Sequence, residues 1–219
     1  MSLAQLPFTD LLNAFRSREP TPGGGSASAL GGAVGASLLA MVAGLPKPRA
    51  QRPEDTERLA VTGARCAAIG DRLAALMDRD SSAYDLVVAA FRLPKSTEEE
   101  RTARGIRIQE ALRSATEAPL DTMRACAEAI GFAPVIAAFG NRNASSDVHV
   151  GLELLRAGLR GAKLNVDVNL PGIKDETFAA AVRREAEHLL VEGEREIQTA
   201  VTELGSEPQE GASDSGRRP

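Results

Sequence analysis

Apolar residues recur along this chain with helical spacing from the first turn onward. Phe8, Leu11, Leu12 and Phe15 fall at i, i+3, i+4 and i+7, which predicts an amphipathic helix started by Thr9 or Asp10. A run of 27 residues without a charge follows, from Pro20 to Pro46. Its front is Thr21-Pro22-Gly23-Gly24-Gly25-Ser26; its remainder, mostly Ala, Gly, Leu and Val, predicts a second helix capped by Ser26 and stopped after Gly44 by Pro46 and Pro48. Pro53-Glu54-Asp55 opens a third helix, whose stripe Leu59, Cys66, Ile69, Leu73 and Leu76 runs on through Tyr84, Val87, Val88 and Phe91. That spacing predicts one helix of about forty residues.

Ser96 with Glu99, or Thr97 with Glu100, forms a capping box ahead of Ile106, Ile108 and Leu112, and this fourth helix is expected to end at Ala118 before Pro119. Leu120 to Phe139 reads as a fifth, kinked or broken at Gly131 and Pro134. Val148, Leu152, Leu155 and Leu159 mark a sixth, and Phe178, Val182, Leu189, Leu190 and Ile197 a seventh. Asn165 to Leu170 alternates like a strand with nothing to pair with, so it is read as a helix end or an extended loop. The expected fold is all-α: an antiparallel bundle of long helices in one domain, residues 1–204, with a disordered polar tail over 205–219.

Composition narrows the function. A formal charge of -4, with basic residues interspersed among acids and only 3% aromatics, argues against a nucleic-acid partner. Cys66 and Cys126 lie far apart in helical surroundings and read as reduced core thiols, which points to the cytoplasm; the N-terminus lacks the pattern of an export signal. His149 and His188 have no ligand spacing, so no metal site is expected. The uncharged run is long enough to span a membrane, but its few leucines and missing aromatic belts favour a helix buried in a bundle or between subunits, with Gly31 and Gly35 allowing close approach.

The turn before that helix is ambiguous on physical grounds. The N–H groups of Gly24, Gly25 and Ser26 suit an oxyanion, a carboxylate or a polar heterocycle, yet three glycines also make a tight turn with no ligand. Neither the phosphate loop nor the dinucleotide fingerprint is present.

A set of ordered blocks resembles the formiminotransferase-cyclodeaminase C-terminal family, which includes the methenyltetrahydrofolate cyclohydrolases. These are Thr21-Pro22-Gly23-Gly24-Gly25-Ser26 with Met41-Val42-Ala43, Asp78-x-Asp80, Leu93-Pro94-Lys95-x-Thr97-x-Glu99-Glu100 with Arg104, Ala118-Pro119-Leu120, Gly140-Asn141-Arg142-Asn143-Ala144-Ser145-Ser146-Asp147, and Asn165-Val166-x-Val168-Asn169-Leu170. The resemblance spans residues 8 to 180 and implies a cytoplasmic all-α homodimer that takes a tetrahydrofolate derivative as substrate, in a cleft close to the subunit interface, with no tightly bound cofactor. One stretch departs: where many members read Asn-Leu-Thr and then a basic cluster, this chain has Gly44-Leu45-Pro46-Lys47-Pro48.

Both reactions of such a family, water addition to the 5,10-methenyl group and ring closure of a formimino group with ammonia release, pass through a tetrahedral carbon and need proton transfer. The carboxylates Asp80, Asp85 and Asp147 are candidate acid/base groups, and Lys95 a candidate for binding the folate glutamate or polarising the reacting centre. Pro22, Gly23, Gly24, Gly25, Ser26, Asn141, Asn143, Asn165 and Asn169 are candidate substrate contacts, the asparagine amides being matched to a pterin edge. Each has a plainer reading: acids paired with Arg79 or capping a helix, asparagines forming turns. A non-catalytic folate-binding dimer, serving as a sensor or scaffold, is the alternative.

Overall fold

A computed structural model describes residues 2–205, so the expected tail beyond Gly205 lies outside the described residues. Among them are six α-helices and no strand: α1 (Phe8–Arg16), α2 (Gly24–Gly44), α3 (Pro53–Phe91), α4 (Glu98–Phe139), α5 (Ser145–Asn169) and α6 (Glu176–Gly205). Short connections make consecutive long helices antiparallel. α2 lies between α3 and α5, α4 packs on α3 and α5 across from α2, and α6 covers α4 and α5.

α3 is continuous over 39 residues, as its stripe predicts, with Pro53 in its first turn. The capping box at the head of α4 is Thr97 with Glu100: the Glu100 N–H donates to the Thr97 hydroxyl, and the Thr97 N–H donates to the Glu100 carboxylate. The fourth and fifth predicted helices are one, a 42-residue α4 that runs through Pro119 and Pro134. Proline removes the donor that the carbonyl four residues earlier would use. For Pro119 that carbonyl is Ala115 O, and the side chain of Asn169 on α5 supplies the missing donor at 2.8 Å.

α2 begins one turn earlier than expected. Gly23 is its N-cap and Ser26 lies inside the first turn, fully buried. The α2–α5 contact is made by backbone. A Cβ on Gly35 would stand 2.6 Å from Gly151 O, and one on Gly158 would stand 2.8 Å from Ser28 O, so only glycine permits this spacing. Cys66 and Cys126 are free and buried, and burial pushes both thiols up to about 12. By length and composition alone α2 and α4 could each cross a membrane; in the bundle α2 turns Ala29, Ala36, Leu39 and Val42 inward.

Candidate active site

α2 and α5 end where α3 and α4 continue. Past Asp80, α3 runs eleven more residues to Phe91, and α4 starts well before Ala115, so the α3–α4 hairpin overhangs the bundle by about 17 Å. A cavity of about 190 Å³ sits at this step, lined by Pro20, Thr21, Gly23, Gly24 and Gly25 from the turn, Asp80 and Tyr84 from α3, Ala115 from α4, and Asn165, Val168 and Asn169 from α5. Larger and shallower grooves run along the arm beside Leu86 and Leu93 (about 380 Å³) and beside Arg101 and Arg113 (about 580 Å³). Neither gathers the residues singled out by sequence.

The carboxylate of Asp80 is the chemical centre of the cavity. It rests on the first turn of α2: a Cβ added to Gly25 would meet Asp80 Oδ1 at 2.1 Å, so a side chain there would displace the carboxylate. Burial raises the pKa of Asp80, partly opposed by hydrogen bonds from the side chain and backbone of Ser26. The Ser26 hydroxyl is 3.0 Å from Asp80 Oδ2, 2.9 Å from Met77 O and 3.1 Å from Ser81 Oγ. Asp80 is not paired with Arg79, which binds Asp121 on α4 instead.

Asn165 donates its amide to Gly161 O at 2.9 Å, which leaves its side-chain oxygen without a donor among the described residues. Tyr84, the only tyrosine of the chain, stands one turn from Asp80 on the same face of α3. Sequence reading used it only as a helix-spacing residue; its i+4 relation to Asp80 was the available pointer. Asp85 is exposed at the rim and accepts a hydrogen bond of 3.4 Å from the Thr21 hydroxyl, next to a cis Thr21–Pro22 peptide. Pro22 lies between two lining residues without lining the cavity itself, and Ser26 lies behind it.

The remaining candidates lie elsewhere. Lys95 is exposed at the tip of the arm, where Arg104 closes the hairpin by stacking over Phe91 and donating to its carbonyl at 3.1 Å. Asn141, Asn143 and Asp147 are at the opposite pole, about 30 Å away along α5. There Asn141 donates to Pro46 O at 2.7 Å and accepts from the Asn143 N–H at 2.9 Å. Neither Ser145 nor Asp147 caps α5, whose N-cap is Ala144. His149 and His188 are exposed on helix surfaces.

A half-buried carboxylic acid at a helix N-terminus, with a phenol and amides in the same cavity lining, is an arrangement that can carry acid–base chemistry in an all-helical bundle. The model of the formiminotransferase-cyclodeaminase family matches residues 7–188, and the chain belongs to that family. It is 41% identical over 181 residues to a methenyltetrahydrofolate cyclohydrolase of Methylorubrum extorquens, covering 83% of this chain and 87% of that one. A formimidoyltransferase-cyclodeaminase of Sus scrofa is 32% identical over 93% of this chain, which spans only 38% of that longer protein. Among solved structures, a formiminotetrahydrofolate cyclodeaminase from Thermotoga maritima superposes with a TM-score of 0.81 at 27% identity, covering 92% of this chain and 96% of that one.

Proposed function

We propose that this chain is a folate-dependent one-carbon enzyme that hydrolyses 5,10-methenyltetrahydrofolate to the 10-formyl form, with Asp80 as its acid–base group. One observation carries the reading: a burial-raised carboxyl stands at the floor of a cavity edged by Tyr84, Asn165 and the α2 turn. In the reaction, water oxygen bonds to the methenyl carbon while Asp80 takes a water proton. The bond from carbon to N5 then breaks as Asp80 returns that proton to N5, leaving the formyl group on N10, and the second water proton goes to solvent. The step balances with water and proton transfer alone, so no resident metal or cofactor is assigned. Asn165 and the N–H groups of Gly24 and Gly25 orient the pterin edge.

The working form is a cytoplasmic homodimer. α2 and α5 share an outward stripe without a charged residue, Ala27, Leu30, Gly31, Val34, Leu38 and Met41 beside Val150, Leu154, Ala157, Gly161, Leu164 and Val168, with Leu164 67% and Val168 78% exposed. An apolar face of this length fits a second copy. The cavity is also smaller than the roughly 300–1,000 Å³ usual for small-molecule sites, as expected of a site walled by one protomer. A two-fold axis crossing the stripe exchanges the poles and sets Asn143 and Asp147 of one protomer beside the cavity of the other.

The 41% identity to a cyclohydrolase favours water addition; the fold shared with a cyclodeaminase favours ammonia release as the second reading. Adding purified protein to methenyltetrahydrofolate and following the loss of its absorbance tests the first, and ammonia release from formiminotetrahydrofolate the second. Tight folate binding without either change would establish the non-catalytic alternative.

A further inference from the structure

Ser26 belongs to the Gly-rich signature, yet it does not line the cavity: its side chain is fully buried behind Asp80. Three oxygens surround its hydroxyl at hydrogen-bond distance, Met77 O at 2.9 Å, Asp80 Oδ2 at 3.0 Å and Ser81 Oγ at 3.1 Å. One hydroxyl has one proton, so it cannot donate to both Met77 and Asp80.

Two proton arrangements satisfy every donor. With Asp80 ionised, Ser26 donates to Asp80 Oδ2 and Ser81 donates to Ser26. With Asp80 protonated, its O–H donates to Ser26 Oγ and Ser26 turns to donate to Met77 O. The heavy atoms stay in place, and a rotation about one Cβ–Oγ bond follows the carboxyl proton. The surroundings suit such a device, because the cavity lining holds no Lys, Arg or His and its other titratable group is Tyr84, with Asp85, the next residue, exposed at the rim. α2 and α5 contribute no charged residue to that lining.

We propose that Ser26 is a positioning residue whose hydroxyl reverses its hydrogen bond with each proton transfer at Asp80, so that one buried carboxyl serves as base and then as acid within a turnover. This rests on the assignment of Asp80 as the acid–base group. Replacing Ser26 by Ala removes a donor to the ionised form while leaving the backbone N–H in place. The Asp80 titration is then expected to move up by about one pH unit, with kcat down about tenfold and KM unchanged, because Ser26 touches no substrate.

The test is the titration of Asp80 in the full-length, ligand-free protein by 13C NMR of its carboxyl carbon, in the wild type, Ser26→Ala and Ser26→Cys, beside the pH profile of kcat. Ser26→Cys is slightly larger and a weaker donor, and serves if Ser26→Ala fails to fold. An upward shift in the NMR titration and in the acidic limb of kcat, at constant KM, supports the relay. An unmoved Asp80 titration overturns it, as does a rise in KM alone, which would make Ser26 a substrate contact. The NMR titration does not depend on turnover, so an inactive wild type would refute the assigned reaction without deciding the hydroxyl switch.

Discussion

The two poles of the bundle carry sequence blocks of equal prominence and put them to different uses. At one pole, Gly23 to Gly25, Asp80, Asn165 and Asn169 converge on a cavity from the N-terminus of α2, the last third of α3 and the end of α5. At the other, Asn141 is spent on Pro46 and Asn143, and the backbone N–H of Arg49 donates to Phe139 O at 2.8 Å; these bonds join the ends of α2, α4 and α5. The difference shows that a motif marks a place where backbone must be held, and only some such places also leave polar groups unpaired toward a cavity. The stripe on α2 and α5 links the poles, and a dimer formed through it would turn two half-sites into whole ones.

Short of removing the Asp80 carboxylate itself, the largest effect should come from one methyl group at the first pole. Gly25→Ala puts a Cβ where Asp80 Oδ1 lies, and a displacement of about 1 Å in an acid–base group costs about a hundredfold in kcat. Gly24→Ala meets only Asn165 at ordinary contact, 3.5 Å, so steady-state kinetics should show nearly normal kcat with raised KM. Equal losses in the two variants would mean that the turn acts as a whole and that Asp80 is not its reason.

Next comes the face between the poles. Leu164→Glu places a charge in the proposed interface, and sedimentation equilibrium should show association weakened by about a hundredfold or more, with a helical monomer of low activity. An active monomer would separate the poles for good. A finer test mixes Asp80→Asn with Asp147→Asn, each impaired alone. If sites are shared across the two-fold axis, random hybrids with one intact site recover about a quarter of wild-type activity; a mixture no better than its parents would leave Asp147 structural.

The smallest effect lies at the second pole. Asn141→Ala loses two hydrogen bonds and should cost about 1 kcal/mol in thermal unfolding, with kcat close to normal. Asp80→Asn should do the opposite for stability. Burial holds the folded carboxyl protonated to higher pH than the unfolded one, so its destabilising effect is absent below the ordinary carboxylate range and grows as pH rises through the folded pKa. The variant should therefore gain in melting temperature at neutral pH and lose that advantage in acid.

Helix existence was legible in the chain because apolar spacing over long stretches admits one period. The stop assigned at Pro119 was not, because the donor that rescues Ala115 O comes from Asn169, more than fifty residues away. For the same reason the second task of Asn169 was hidden: this candidate substrate contact lines the cavity, and its amide N–H also braces the proline turn of a neighbouring helix. Asp80 and the glycines were singled out through the blocks they belong to, but their meeting in one cavity lining was hidden. Gly25 is glycine because of the Asp80 carboxylate, and Ser26 lines no cavity because it stands behind that same group. Tyr84 entered only as a member of the α3 stripe, since nothing short of the helix register joins it to Asp80 in the cavity lining.

The most direct test of the acid–base assignment is the rate of methenyltetrahydrofolate hydrolysis by purified wild type and Asp80→Asn at neutral pH. The wild type should consume the substrate, and the variant, folded and at least as stable, should lose about 10²–10⁴ in kcat. A variant that turns over at the wild-type rate would contradict the account.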